Sequence, residues 1–171
     1  MKNLAIVVAI LILLGGVYVL QKPDSTKISP NTSTETSVDN AKKDSNSTTL
    51  SLSGKGLNKT PSYVFEMTNL TTLDLSNNSL DGALQSQIGQ LQNLRTLDLS
   101  NNKFTGVPAE IGQLKKLEVL DLSNNLLTGL PNELGNLSNL KLLDLTGNNY
   151  SEADLAAIRK NLPSTTIIKT D

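Results

Sequence analysis

Leu94-Arg-Thr-Leu-Asp-Leu-Ser-Asn-Asn102 decides the fold, because nearly the same wording returns three more times in the chain. Leu70-Thr-Thr-Leu-Asp-Leu-Ser-Asn-Asn78 precedes it by 24 residues; Leu117-Glu-Val-Leu-Asp-Leu-Ser-Asn-Asn125 and Leu140-Lys-Leu-Leu-Asp-Leu-Thr-Gly-Asn148 follow at steps of 23. A fixed period of this length means one supersecondary unit per repeat, stacked on its neighbours. Within L-x-x-L-x-L, the last two leucines alternate with one polar residue, so a short strand turns Leu inward and the residue between outward. Such a strand cannot stand alone. Stacked, each gains a parallel neighbour on either side, and Leu73, Leu97, Leu120 and Leu143, with Leu75, Leu99, Leu122 and Leu145, become two columns of one continuous core.

The asparagine column Asn78, Asn102, Asn125 and Asn148 has a structural task. Where the chain leaves the strand and bends, backbone groups turn inward without ladder partners, and a side chain carrying both donor and acceptor satisfies them. Leu80, Phe104, Leu127 and Tyr150 then form the next inward column. Gly106-Val-Pro-Ala-Glu-Ile-Gly-Gln-Leu114 and Gly129-Leu-Pro-Asn-Glu-Leu-Gly-Asn-Leu137 read as the outer return, and Gly82 to Leu91 as a version one residue longer that lacks the Pro.

These segments resemble the plant-type leucine-rich repeat family and related bacterial repeats, whose return reads roughly L-x-G-x-(I)-P-x-x-I-G-x-L. The resemblance covers about residues 50–169. It implies an α/β fold, a right-handed solenoid in a short horseshoe with a parallel sheet on its concave face. Many binding activities share that fold, so function must be argued from the residues on the face. Both ends depart from the repeat. Leu50, Leu52 and Leu57 align with Leu73, Leu75 and Leu80, but Lys55 stands where Asn belongs, which makes residues 48–69 a degenerate first repeat. Ser151-Glu-Ala-Asp154 resembles a capping box with Ser151 as N-cap, and Leu155, Ile158 and Leu162 share one helical face up to Pro163. Thr165 to Lys169 reads as a last edge strand with Lys169 as a blunting charge. The Cys-rich caps of many eukaryotic extracellular relatives are absent, which points to a bacterial protein.

On the concave face the outward residues repeat in rows: Thr72, Thr96, Val119 and Leu142; Asp74, Asp98, Asp121 and Asp144; Ser76, Ser100, Ser123 and Thr146, flanked by Asn77, Asn101 and Asn124. Adjacent strands lie about 4.8 Å apart, so four carboxylates form a column. It serves either as an acidic stripe for a basic peptide or a hard cation such as calcium, or as the ordinary wording of the repeat, each Asp accepting hydrogen bonds from nearby Ser or Thr hydroxyls. Two carboxylates at ~5 Å repel by only about 0.8 kcal/mol in water-like dielectric, so the ladder is tolerable without a counter-ion. Val119 and Leu142 make a small apolar spot beside Arg95 and Glu118, the first place to seek a partner; Arg95 alone in these columns belongs to the types that dominate interface energetics.

Composition narrows the chemistry. The 171 residues contain no His, Cys or Trp, and 3% are aromatic. Imidazole- and thiol-based nucleophile systems, Cys/His zinc sites and disulfides are thereby excluded. Four equivalent, solvated Asp on an open sheet offer no pair of acids in contrasting environments, so no enzyme is expected. Fifteen basic against sixteen acidic residues leave a net charge of −1, which argues against a nucleic-acid partner. No cofactor or metal ligand set is expected.

Leu4 to Leu20 is an unbroken apolar and Gly run between Lys2 and Gln21-Lys22-Pro23. As a helix it spans roughly 25 Å, within the range for a single crossing. A cleaved secretory signal is the alternative, although the exit Gly15-Gly16-Val17-Tyr18-Val19-Leu20 lacks the small-residue cleavage pair. Residues 23–49 are almost wholly Ser, Thr, Asn, Asp and Lys, with a flexible-chain reach of roughly 30 Å. The expected order is therefore residues 1–22 as transmembrane anchor or signal, 23–49 as linker, and 50–171 as repeat domain. A single-pass protein holds that domain outside the cytoplasm, or releases it if the N-terminal segment is cleaved. Its face is expected to bind a protein, a peptide, or a cell-wall or surface polymer. The alternatives are a passive surface or adhesion element and a polysaccharide-binding or calcium-dependent module. Truncating a central core leucine, Leu99→Ala, is expected to cost about 2–5 kcal/mol, read from the midpoint of denaturant unfolding at unchanged m-value.

Overall fold

The structure, a computed structural model, describes residues 47–171. The anchor expected at 4–20 and the linker from 23 to 46 lie outside the described residues; among those described, no helix is long and apolar enough to cross a membrane.

Each Leu-x-Leu unit supplies one three-residue strand, and a short strand also forms at either end of the series. The strands β1 (Thr49–Ser51), β2 (Thr72–Asp74), β4 (Thr96–Asp98), β6 (Val119–Asp121), β7 (Leu142–Asp144) and β8 (Ile167–Lys169) form one parallel sheet in that order. Register is residue for residue: Leu50, Leu73, Leu97, Leu120, Leu143 and Ile168 stand side by side. The four central leucines of this column and all of Leu75, Leu99, Leu122 and Leu145 are fully buried. Phe104 and Leu127 close the next layer, and Tyr150 packs partly buried against it.

The asparagines complete the bend as the repeat pattern requires. Asn102 donates from Nδ2 to the carbonyls of Leu75, Leu99 and Ser100 at 3.0, 3.1 and 3.1 Å, and its Oδ1 accepts the Leu80 N–H at 3.1 Å. Asn78, Asn125 and Asn148 make the same four bonds in their own repeats. The neighbouring Asn77, Asn101 and Asn124 have a different role from the flanking face residues expected. They take φ of 56°, 55° and 53°, a left-handed turn that Asn tolerates better than other side-chain-bearing residues. Gly54 and Gly147 occupy the equivalent place at φ 65° and 71°.

The outer return consists of single-turn 3-10 helices, Ser86–Gln90, Ala109–Gln113 and Asn132–Asn136. Pro108 and Pro131 precede the latter two in extended backbone. Between strand and return, β3 (Asp81–Ala83) and β5 (Lys103–Gly106) form a second, two-stranded parallel sheet that the pattern of leucines does not announce. The glycine of each Ile/Leu-Gly pair sets the distance between successive returns. A Cβ on Gly112 would stand 2.4 Å from the Glu133 carbonyl oxygen.

Three end features stand out. The first strand takes in Thr49 ahead of Leu50, and the Ser47 hydroxyl bonds the Thr49 backbone. Ser151 has the extended backbone of an N-cap ahead of the helix Glu152–Arg159 but makes no side-chain capping bond. Asp154 instead reaches across to accept the Leu130 N–H at 3.1 Å, tying the terminal helix to the preceding return. Finally, Lys169 is drawn onto the sheet face by Asp144 at 3.1 Å.

Gly112→Ala should force the Glu133 carbonyl outward and cost about 1–3 kcal/mol as an overpacking change. Equilibrium unfolding measures this, and a loss below the measurement error would show that the returns slide apart freely.

Candidate functional site

The face of the six-stranded sheet is built by alternation. In β2, β4 and β6 the middle Leu is buried and its two neighbours are half-buried on the open side. Register then assembles three rows from residues some 23 apart in sequence. The first runs Thr49, Thr72, Thr96, Val119, Leu142, Ile167, and the second Ser51, Asp74, Asp98, Asp121, Asp144, Lys169. The third, of hydroxyls, lies beneath the surface: Ser76, Ser100 and Ser123 are only 4%, 6% and 8% exposed.

That third row holds the second. The Ser76, Ser100 and Ser123 N–H groups donate to Oδ1 of Asp74, Asp98 and Asp121 at 3.0, 2.9 and 2.9 Å, and the Ser76 and Ser123 hydroxyls add bonds of 2.7 and 2.6 Å. Thr146 does the same for Asp144. Each aspartate is thus first a local brace within its repeat. Of the candidate contact residues, Ser76, Ser100, Ser123 and Asp144 are buried and support the face, while Thr72, Asp74, Arg95, Thr96, Asp98, Glu118, Val119, Asp121 and Leu142 reach its surface.

The Asp column is not uniform. Oδ2 of Asp74 accepts the Ser51 hydroxyl at 2.9 Å and Oδ2 of Asp144 faces the Lys169 ammonium, so both ends are satisfied. Asp98 and Asp121 keep Oδ2 without a partner among the described residues. Burial pushes the Asp144 carboxyl up, but bonds from the Thr146 hydroxyl, Lys169 and the Thr146 amide outweigh it, and the group sits below the ordinary carboxylate value. Asp74 is lowered the same way: burial raises it, and the Ser76 hydroxyl and amide with the Ser51 hydroxyl more than reverse that. No group of three or more Asp, Glu, His or Cys among the described residues is arranged to hold a metal ion.

Beside the first row, Glu118 bridges two cations, with Oε1 accepting Arg95 and Oε2 accepting Lys141, each at 2.5 Å. Those hydrogen bonds, Lys141 first and Arg95 second, hold the Glu118 carboxyl below its usual value. Lys141 was not singled out in the sequence, although it occupies the repeat position of Arg95 and Glu118. Ile167 was missed too. It is 63% exposed and extends the Val119–Leu142 spot into a strip of three apolar residues. Aligning Thr166-Ile167-Ile168-Lys169 under Lys141-Leu142-Leu143-Asp144 would have found it.

With this geometry in place the comparisons are specific. A model of the leucine-rich repeat matches residues 45–104 and 92–149, and the chain belongs to the leucine-rich repeat family. A leucine-rich repeat protein of Leptospira interrogans is 44% identical over 70% of this chain, with a TM-score of 0.65. A chain of the BIR3–SERK2 complex from Arabidopsis thaliana is 35% identical over 71% of this chain and 66% of its own, with a TM-score of 0.58. The plant peptide hormone receptor RGFR1, solved in complex with RGF2, is 35% identical over 66% of this chain, with a TM-score of 0.56. The chain spans 30% of the Leptospira protein and 18% of the hormone receptor. No curated protein sequence matches it.

The depressed Asp144 carboxyl makes a pH prediction. A group whose folded pKa is lowered contributes stability above its unfolded value, roughly pH 4, and loses it as pH falls through the folded value. Asp144→Asn should therefore lower the melting temperature at pH 6 and make its decline below pH 4 shallower than in the parent. Parallel melting curves on calorimetry would contradict this.

Proposed function

We propose that the repeat domain is a non-enzymatic binding module that takes an extended peptide or protein segment on its sheet face. The observation that carries this reading is the change along one row from Thr49, Thr72 and Thr96 to Val119, Leu142 and Ile167. A row serving only the fold has no need of three adjacent apolar residues toward solvent, whereas a contact patch gains from them at about 25 cal/mol per Å² buried. The strip lies between the Arg95–Glu118–Lys141 triad and the carboxylates of Asp98 and Asp121, whose free oxygens suit a basic group on the partner. Two of the similar structures are also complexes, the plant peptide hormone receptor RGFR1 with RGF2 and BIR3 with SERK2, which supports this reading.

Residues 4–20 serve in this reading as a single-pass anchor and residues 23–49 as a tether, which holds the face outside the cytoplasm of a bacterial cell. The apolar run is long enough to cross, and the Ser/Thr/Asn composition lacks the apolar content for a packed core.

The full chain, purified in detergent and used as bait on a cell-surface extract, should retain a partner that is lost from the double variant Val119→Ser, Leu142→Ser and weakened at high salt. Retention by the folded double variant, or no partner at all, would leave a passive surface element in its place. Protease added to intact cells should remove the repeat domain; full protection would refute the outward placement.

A further inference from the structure

The two edges of the six-stranded sheet are finished differently. Along a parallel strand, alternate residues turn their N–H and C=O groups to opposite sides. At β1, Ser47 folds back over the outward groups of Thr49: its hydroxyl donates to the Thr49 carbonyl at 2.7 Å and accepts the Thr49 N–H at 3.3 Å. At β8, the flanking residues carry the bonds to the sheet. The Ile167 N–H donates to the Lys141 carbonyl at 2.9 Å, and the Lys169 carbonyl accepts the Leu145 N–H at 2.9 Å. The N–H and C=O of Ile168 face away, and nothing among the described residues bonds them.

Edge strands with open backbone groups template pairing unless a charge, bulge or cover blunts them. Lys169 does not guard this edge, because Asp144 holds its ammonium on the sheet face. Beside the edge lies a groove of about 250 Å³ lined by Arg159, Leu162, Pro163, Ser164, Thr166 and Ile168. Arg159 forms no ion pair among the described residues. An unpaired strand edge, a mixed groove that includes Leu162, Pro163 and Ile168, and a guanidinium without an ion pair thus meet at one place.

We infer that β8 is a docking strand for an extended acidic segment of a partner protein, which adds to the sheet as its next strand. Main-chain bonds to Ile168 supply affinity that is independent of sequence, and the groove supplies the selection. An apolar side chain opposite Ile168 packs against Leu162 and Pro163. A carboxylate two residues along, on the same side of the added strand by the period of two, meets Arg159 in paired, bidentate geometry. A second copy of the chain fits less well. At its β1 edge Ser47 already occupies the outward groups of Thr49 and leaves those of Ser51, and pairing β8 with β8 brings Arg159 of both copies to one seam. This site uses the rim of the sheet and stands apart from the strip of Val119, Leu142 and Ile167 proposed above.

The test titrates the full 171-residue chain with a capped octapeptide, Val-Thr-Asp-Thr-Val-Thr-Asp-Thr, which carries Val and Asp two residues apart on one face, followed by amide hydrogen exchange. The Ile168 amide should slow by about tenfold or more as its N–H gains a main-chain partner, and the same octapeptide with Lys in place of Asp should leave it unchanged. Arg159→Glu, at an exposed position in the last helical turn, should reverse that preference while the melting temperature stays close to the parent's. Equal protection by both peptides in the parent overturns the proposal. So does no protection at millimolar peptide, or protection that grows with chain concentration in the absence of peptide, which would assign the edge to self-pairing.

Discussion

Where each strand ends, the chain turns inward and carbonyls that would otherwise continue the ladder point into the apolar interior. An unsatisfied group of this kind costs about 1–3 kcal/mol, which no three-residue strand recovers by itself. One carboxamide at the bend closes three carbonyls and one N–H together, from Asn78, Asn102, Asn125 and Asn148 alike. The register of the sheet, the burial of the leucine columns and the alignment of the face rows all depend on this bend being identical from repeat to repeat. The short strands are therefore better described as the straight part of a stack of equal turns than as a sheet that happens to be connected.

Much of this was legible in the wording of the repeat. Leu-x-Leu spacing gives the strands and their inward side, and a constant period gives register, because a slip of one residue would put every leucine into water. The Asn column was legible because only a donor-acceptor amide meets the accounting at the bend. What escaped was whatever the leucines do not mark. Asn77, Asn101 and Asn124 read as surface polar residues, and only the glycines at 54 and 147 hint that the position demands a left-handed backbone. Gly147 also answers a local limit, since a side chain there would come within 2.6 Å of the Asn124 Oδ1. Asp154 matched a local capping pattern but is used across repeats, a choice set by the distance to Leu130 rather than by neighbouring sequence. The two-stranded sheet of β3 and β5 joins segments of unlike composition, Asp-Gly-Ala and Lys-Phe-Thr-Gly, and carries no shared signature.

For the site, the order of rows was readable and the allocation of work within them was not. The column of four aspartates looked uniform in sequence, yet its outer members are occupied by Ser51 and Lys169 and its middle members are half free. Only the ends of the stack distinguish them, and the ends are where the repeat loses its wording. The apolar strip behaves similarly, because its third member, Ile167, comes from a strand with no leucine in it. The polar monotony of the face is thus broken only toward the C-terminal repeats.

The asparagine bonds also have a direction along the chain. Asn102 bonds Leu75 and Leu80, Asn125 bonds Leu99 and Phe104, and Asn148 bonds Leu122 and Leu127, in each case backbone of the repeat before its own. The groups that lock a given turn therefore always leave the ribosome after it. During synthesis at about 5–20 residues per second, a finished turn waits one to several seconds for the next 23 residues to bring its clasp. The turn after β7 is fastened by different means, the Asp171 carboxylate on the Gly147 N–H and the Lys169 ammonium on Asp144, so the clasp passes from an amide to charged groups where the repeat wording stops.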